Sequence, residues 1–523
     1  MKMNKSEISL SGKVVKIAVG AGVAMAAVPT VKADAKSSER PNVLVIIFDQ
    51  LRYDVFSHRN HEILKTPNID KLGAEGVIFT EATCTSPVCG PSRAAMLTGC
   101  YAYDGKYIKK NREPEDEGPW LKPIKTVDEL LKEGGYSVEY RGKWHCGKQH
   151  MECYNTRDFI FGHKLHSYNK YLIDKGYERK DEGGAYLPDT YTQWTYRYWP
   201  VDKMIGKGPR DLEYDIGHSS QAGILEVKDE DTLTAWTAQK TIDMLDSKPE
   251  KPFSVTCSIL HPHGPIIPNE KYGSMFKPED MPLPKNMNAY HHQRLGKKLP
   301  IPDKVSHRGV QEFMALYYGL VKECDDHVGR ILDALERNGL KDNTLVVLTS
   351  DHGEFLGSHN AFGKGEFIEE SFRVPLIMRY PKKIEAGLIK DNVATGADIA
   401  PTILDYCNVA VPEWMHGRTL RNVINGADDS VQYAYGEIRN EQCLRSKEWK
   451  LVINKGEPIM LFDLANDPME EKNLLRPKSQ LTEKATAKMK EMLAVLKKDY
   501  KVVQTKNSAR STKAGKKKKK KKK

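Results

Sequence analysis

Apolar residues along this chain fall into two kinds of run, and the contrast between them predicts an architecture. Val-Leu-Val-Ile-Ile-Phe (43–48), Phe-Ser-Val-Thr-Cys-Ser-Ile-Leu (253–260) and Thr-Leu-Val-Val-Leu-Thr (344–349) are strand-length and free of charge. That is the pattern of strands buried on both faces of a parallel sheet. Residues 77–80, 137–141 and 374–379 read as further strands. Helices are expected over 66–76, 127–133 and 234–247. A longer one spans 311–338, where Phe313, Leu316, Leu320, Cys324, Val328, Ile331 and Leu335 recur at helical spacing before Gly339. Beyond about residue 426 the runs shorten and alternate (433–438, 443–446, 449–454, 460–463), and one helix follows over 480–498. The expected fold class is therefore α/β: a large mixed, mostly parallel sheet flanked by helices, with a smaller C-terminal α+β subdomain of antiparallel sheet plus helix. The main domain is placed at 41–425 and the subdomain at 426–500. Within the main domain, about 154–236 is rich in Tyr, Trp, Gly and charge but weakly periodic, and reads as an insertion.

Charge changes the picture only at the two ends. The formal net charge of the 523 residues is +11, but eight lysines at 516–523 and a surplus of four positive charges in 1–33 leave −1 for the body between them. A near-neutral body offers no electrostatic footprint for nucleic acid. The Lys-rich tail, 506–523, is expected to be disordered. Residues 1–33 pair a basic start (Lys2, Lys5, Lys13, Lys16) with an uncharged run over 17–28 and small residues around Ala33, the pattern of an export signal peptide. No Cys follows closely, which argues against a lipoprotein anchor, and no transmembrane segment is expected. Export to a periplasm or the medium follows. The nine cysteines are odd in number and match no zinc-site spacing. Setting Cys89 aside leaves eight, free to pair in an oxidising compartment or to remain buried thiols. The spacing of Cys146 and Cys153 permits a local bridge.

Chemistry gathers at one turn and at the strand ends. In Ser-Pro-Val-Cys-Gly-Pro-Ser-Arg-Ala-Ala-Met-Leu-Thr-Gly (86–99), Cys89 stands where a helix begins, with unpaired N–H groups and Arg93 one turn on. On chemistry alone this is an activated thiol or an anion-binding turn. Asp49-Gln50, Lys143 and His145, His261 and His263, and Asp351-His352 each follow a predicted strand, where open α/β sheets place their sites. Buried Asp and Lys are costly without partners, and a metal with an anionic substrate would satisfy them together. Carboxylate and amide oxygens suit Ca²⁺ or Mg²⁺, while His352 keeps Mn²⁺ and Zn²⁺ open. Lys143, His263 and Lys364 are suitable donors to a tetrahedral oxyanion and a leaving oxygen.

These stretches resemble, in order, the motifs of the formylglycine-dependent sulfatases of the alkaline phosphatase superfamily. The resemblance is carried by Cys-Gly-Pro-Ser-Arg with Thr98-Gly99, the first strand with Asp-Gln, Gly-Lys-Trp-His-x-Gly, Pro-His-x-Pro, Ser-Asp-His-Gly-Glu-x-x-Gly and Gly-Lys-Gly-x-Phe-x-Glu-Glu-x-x-Arg-Val-Pro-Leu-Ile. It runs from Pro41 to about Leu475. It implies that a maturation enzyme oxidises Cys89 to formylglycine, whose hydrate attacks sulfur. Asp49, Gln50, Asp351 and His352, with residue 89, would hold the metal, Ca²⁺ being the first expectation. Arg93 and Lys143 would stabilise the charged hydrate, His145 would accept its second proton, and His263 and Lys364 would bind sulfate and protonate the leaving alcohol. The expected activity is that of a secreted sulfuric-ester hydrolase acting on a sulfated carbohydrate. One departure bears on substrate: many family members have Asp-Asp where this chain has Asp49-Gln50, a pair also found in choline sulfatases and phosphonate monoester hydrolases. A phosphonate monoester or phosphodiester hydrolase is the alternative enzyme. An inactive polyanion-binding protein with Cys89 unmodified is the alternative of another class.

Overall fold

The computed structural model describes residues 40–56, 61–102, 108–109, 118–155, 158–160, 166–177, 223–225, 227–249, 252–287, 289, 307–427, 431–476 and 481–500. The expected export segment and Lys-rich tail lie outside them, as does much of 154–236. Among the described residues, no helix is long and apolar enough to cross a membrane.

Strands β1 (Asn42–Asp49), β2 (Val77–Thr83), β3 (Ser137–Lys143), β4 (Asp158–Ile160), β5 (Phe253–Pro262), β6 (Thr344–Ser350), β7 (Leu376–Arg379) and β8 (Leu388–Thr395) form one sheet in the order β4-β3-β5-β1-β6-β7-β2-β8. Neighbours from β4 to β6 are parallel, β7 runs antiparallel to β6 and to β2, and β2 pairs with β8 in parallel. The sheet is thus mixed and mostly parallel, as the runs predict. Its helices include α1 (Pro67–Ala74), α2 (Cys89–Thr98), α3 (Val127–Glu133), α4 (His166–Asp174), α5 (Leu233–Asp246), α6 (His307–Arg337) and α7 (Ile399–Tyr406).

The unbroken run of β1 reflects burial on both faces. Val43, Val45 and Ile47 pack into a core with Met96 and Leu97 of α2, Leu131 of α3 and Ile403 of α7. Leu44, Ile46 and Phe48 point the other way, into a core built on Phe313, Leu316, Leu320 and Ile331 of α6. Each such side chain stabilises the fold by roughly 1.5–3 kcal/mol over its exposed state, so β1 is pinned in register from both sides. β4 and β8 are edge strands that the hydrophobic pattern does not announce. β4 has three residues, and Leu388, Lys390 and Asn392 alternate with exposed positions along β8, so neither carries an apolar run.

The C-terminal subdomain is an antiparallel meander of β9 (Ala434–Ile438), β10 (Glu441–Arg445), β11 (Trp449–Asn454) and β12 (Glu457–Asp463), covered by α8 (Glu483–Asp499). Lys455 and Gly456 link the last two strands with φ of 52° and 87°, the left-handed pair a tight twisted hairpin requires. One face packs Leu451, Ile453 and Leu461 against Met492 and Leu496 of α8, while Cys443, Val452 and Phe462 join the core shared with β1. Charges reinforce that junction. Glu369 accepts from Arg445 Nε (2.8 Å) and Nη2 (2.6 Å) and from Lys450 Nζ (2.9 Å), which also pairs with Glu470 at 2.5 Å. Nearby, Asn286 Nδ2 donates to Glu370 Oε1 (2.7 Å) and lies 3.0 Å from His359 Nε2, tying the loop before α6 to the same cluster.

Two histidines buried in the fold give an expected pH dependence. Burial lowers His261 to about 3, with His263 adding to it, and lowers His327 to about 4, with Arg330 adding to it. Both remain neutral in the native state where the unfolded chain, near 6.5, takes up protons. Their contribution is complete above pH 6.5 and is lost as pH falls toward 4. Urea midpoints are therefore expected to drop across pH 6.5–4, and His327→Gln to make that drop shallower. An unchanged slope in the variant would sink the assignment.

Candidate active site

Four adjacent strands deliver their last residues to one edge of the sheet. β1 ends in Asp49-Gln50, β3 in Lys143 with His145 two residues on, β5 leads to His263, and β6 is followed by Asp351-His352. β3 can lie so close to β5 because residue 142 is glycine. Its φ is 91°, and a Cβ there would sit 2.0 Å from the Ser258 carbonyl oxygen. Gln50 and His145 take left-handed backbones at φ 68° and 53°, which for such residues costs of order 1–3 kcal/mol each and turns the chain sharply at the strand ends. The turn before α2 is set as its residues predict: Val88 is the extended N-cap, Cys89 opens the helix, and Gly99 closes it in the left-handed conformation.

Cys89 lies at the centre. Its Sγ is 3.2 Å from His352 Nε2, 3.2 Å from Lys364 Nζ and 3.9 Å from Asp49 Oδ1, and it also hydrogen-bonds with His145 and His263. Burial alone would raise its pKa, but Lys143, Lys364 and His352 outweigh burial and hold it well below the usual thiol range. The other eight cysteines are also buried and none forms a disulfide, so no bridge joins Cys146 to Cys153. Burial raises Cys257 to about 11 and Cys146 and Cys407 to about 12. Only Cys89 combines burial with a cationic surround that favours negative charge.

Asp49 and Asp351 are fully buried beside it. Arg93 bridges them from below: Nε donates to Asp351 Oδ2 (2.7 Å), Nη2 lies 3.4 Å from Asp49 Oδ2, and Nη1 donates to Ser258 Oγ (2.7 Å) and the Lys143 carbonyl (3.0 Å). Lys143 Nζ pairs with Asp49 Oδ2. Burial and the Cys89 charge push Asp49 upward, yet Lys143, His263 and Lys364 hold it well below the carboxylate range; Asp351, raised by burial and by Asp49, takes the opposite course. Burial opposes His352, but Asp351 raises it. Burial lowers His263 to about 4, aided by Lys364, so its imidazole is neutral, with Nδ1 donating to the Gly264 carbonyl at 2.7 Å.

The donor set fits a divalent cation. One ligand atom each from Asp49, Cys89, Asp351 and His352 lie within 4.8 Å of one another. Gln50 Oε1 joins them through Lys364 Nζ, which it meets at 2.7 Å. Two buried carboxylates this close repel unless positive charge lies between them. Ten of the eleven residues singled out in the sequence thus belong to one cluster; His261 lies within β5, where its Nδ1 meets Thr234 Oγ1 at 2.7 Å. Three further participants were not nominated from the sequence, although Ser92 stands within Cys-Gly-Pro-Ser-Arg. Ser258 is an ordinary strand residue, Ser92 donates to the Asp351 carbonyl (2.6 Å), and Tyr317 of α6 donates to the Gln50 carbonyl (2.7 Å). Glu354 was visible only as the fourth residue of Asp-His-Gly-Glu.

The family model "Sulfatase" matches residues 41–409, from the start of β1 to just past α7, and so takes in this whole cluster. The chain belongs to the sulfatase family. A second model, "N-sulphoglucosamine sulphohydrolase, C-terminal", matches 357–499 and ends with α8. Among relatives of this sulfatase, the arylsulfatase of Clostridium perfringens (strain 13 / Type A) is 28% identical over 457 residues, covering 83% of this chain and 90% of that protein. The N-acetylglucosamine-6-O-sulfatase of Bacteroides thetaiotaomicron is 27% identical over 515 residues, covering 89% and 88%. The crystal structure of the phosphonate monoester hydrolase of Agrobacterium radiobacter superposes with a TM-score of 0.69 at 25% identity, covering 87% of this chain and 96% of that one. The second family model spans β9 to α8, so the meander is part of the matched architecture.

Proposed function

We propose that this sulfatase removes sulfate from a sulfated carbohydrate, with Cys89 matured to formylglycine and a divalent cation, Ca²⁺ first, held by Asp49, Gln50, Asp351, His352 and residue 89. The observation that carries the reading is the position of Cys89, opening a helix inside a ring of two lysines, three histidines and two carboxylates. A bound cation would supply Lewis-acid polarisation of the sulfate oxygens, and the hydrated aldehyde at residue 89 would supply the nucleophile. The rest falls to the chain itself. Lys143 and Arg93 place positive charge beside and below residue 89, which favours a deprotonated hydroxyl there. His145 is in hydrogen-bonding contact with residue 89, where it can take the second hydroxyl proton as sulfate leaves. Lys364 Nζ reaches over Cys89 Sγ, suited to a sulfate oxygen. His263 rests neutral, with Nδ1 committed to a carbonyl. An arriving sulfate ester adds negative charge near Nε2 and raises its pKa, so a proton is available there for the leaving alcohol.

The carbohydrate assignment draws support from the relative named N-acetylglucosamine-6-O-sulfatase and from the aromatic span 154–236, suited to stacking on sugar faces. Export through residues 1–33 to a periplasm or the medium completes the proposal. Phosphonate monoester hydrolysis is the second reading. It is favoured by Gln50 and by the likeness to the Agrobacterium radiobacter hydrolase.

Protein purified from its native host tests these readings. Mass spectrometry of the peptide spanning Cys89 is expected to find formylglycine, and an aryl sulfate to be cleaved in preference to a phenyl phosphonate. Chelation is expected to bring activity to background, with Ca²⁺ restoring it. A phosphonate preference selects the second reading. An unmodified thiol with no turnover of either ester would refute catalysis and leave a polyanion-binding protein.

A further inference from the structure

The side-chain amide of Gln50 has an oxygen end and an NH₂ end, and only one of its two orientations turns the oxygen into the site. Glu354 decides between them. Its buried carboxylate accepts the backbone N–H groups of Gly363 (2.5 Å) and Leu356 (3.1 Å) at Oε1, and Gln50 Nε2 at Oε2. With its NH₂ end committed, Gln50 turns Oε1 to Lys364 Nζ at 2.7 Å, and that ammonium stands 3.2 Å from Cys89 Sγ. Glu354, Gln50, Lys364 and Cys89 thus form one chain of donors and acceptors with a single polarity.

We propose that Glu354 is a positioning residue that acts through Gln50, holding the amide oxygen toward Lys364 and the cation ligands; the inference rests on the sulfatase reading of that site. A carboxylate is required for this, and its isostere cannot replace it. Two backbone N–H groups demand an oxygen at the Oε1 position, so a glutamine at 354 must point its own NH₂ at Gln50. Gln50 must then present its oxygen to that NH₂. Its own NH₂ is left facing the Lys364 ammonium, donor against donor, and no oxygen is offered to a cation. Where many family members carry a second aspartate, either carboxylate oxygen serves; an amide at position 50 makes orientation matter.

Exchanging the two residues is expected to rescue the site. In the double variant Q50E/E354Q, the new amide at 354 donates to the new carboxylate at 50, whose other oxygen accepts from Lys364 Nζ, so the polarity is rebuilt with the residues exchanged. Wild type, E354Q and Q50E/E354Q would be compared in aryl sulfate kinetics. Affinity for Ca²⁺ would be read separately by calorimetry. E354Q is expected to lose about 10–100-fold in kcat and a similar factor in cation affinity, with KM within about twofold. The double variant is expected to recover about tenfold or more of both losses. The proposal is overturned if E354Q keeps kcat and cation affinity within about twofold of wild type, or if the double variant is no better than E354Q. Should E354Q fold poorly, recovery of thermal stability and cation affinity in the double variant decides the matter. A wild-type chain that cleaves no aryl sulfate would instead overturn the proposed function, and the affinity comparison would still judge Glu354.

Discussion

Cys89→Ala is expected to lose sulfate-ester hydrolysis by about 10⁴-fold or more, the order seen when a nucleophile is removed from a preassembled site. The variant should fold. Residue 89 opens α2 and belongs to none of the apolar core clusters, and alanine is compatible with a first helical turn. The expected stability change is therefore small, about 1 kcal/mol or less. Steady-state kinetics on an aryl sulfate, paired with a thermal melt, check both halves. A variant that folds normally and retains more than about a hundredth of the wild-type rate would place the nucleophile elsewhere. Cys89→Ser separates nucleophile from polarity, since a hydroxyl keeps a polar atom in the same place. If serine is as inactive as alanine, the reaction depends on the matured residue and not merely on a polar atom at position 89.

Arg93→Met has the largest expected effect on stability. The guanidinium is 2% exposed and joins Asp351, Asp49, Ser258 and the Lys143 carbonyl. Met fills much of the volume but leaves two neighbouring buried carboxylates with one cation fewer, and Ser258 Oγ and the Lys143 carbonyl with one donor fewer, although Tyr140 Oη still donates to that carbonyl at 2.6 Å. Breaking a buried ion pair on one side costs about 3–5 kcal/mol. The loss is expected to be greatest in chelator, because a bound cation would return positive charge to Asp49 and Asp351. Urea unfolding with and without Ca²⁺ measures this. Equal midpoints for the variant and wild type in chelator would show that Lys143 and Lys364 alone balance the carboxylates. Activity should fall as well, since Arg93 also orients Lys143 through its carbonyl.

The two substitutions separate what is local from what is not. Cys89 was legible because its signal is contiguous: a helix start, Gly-Pro-Ser, an arginine one turn on and a glycine cap. The strands β1, β5 and β6 were legible because burial on both faces writes itself into composition, and the polar residues after them stood out against those runs. The edges β4 and β8 lacked such a run, since an edge strand has less apolar surface to hide.

The chain order of residue types was thus enough to nominate Asp49, Gln50, Cys89, Arg93, Lys143, His145, His263, Asp351, His352 and Lys364, and to expect an α/β sheet that gathers them. Sequence could not say how they face one another. That Arg93 spans Asp49 and Asp351, that Lys364 covers Cys89, and that Glu354 orients the Gln50 amide depend on contacts between residues separated by 44 to 304 positions. The same holds for the cysteines, whose number allowed bridges that the fold does not make. Residue type and periodicity follow from local chemistry and burial. Distance, orientation and the balance of charge in a buried site exist only once β1, β3, β5 and β6 lie side by side and exclude water from their common edge.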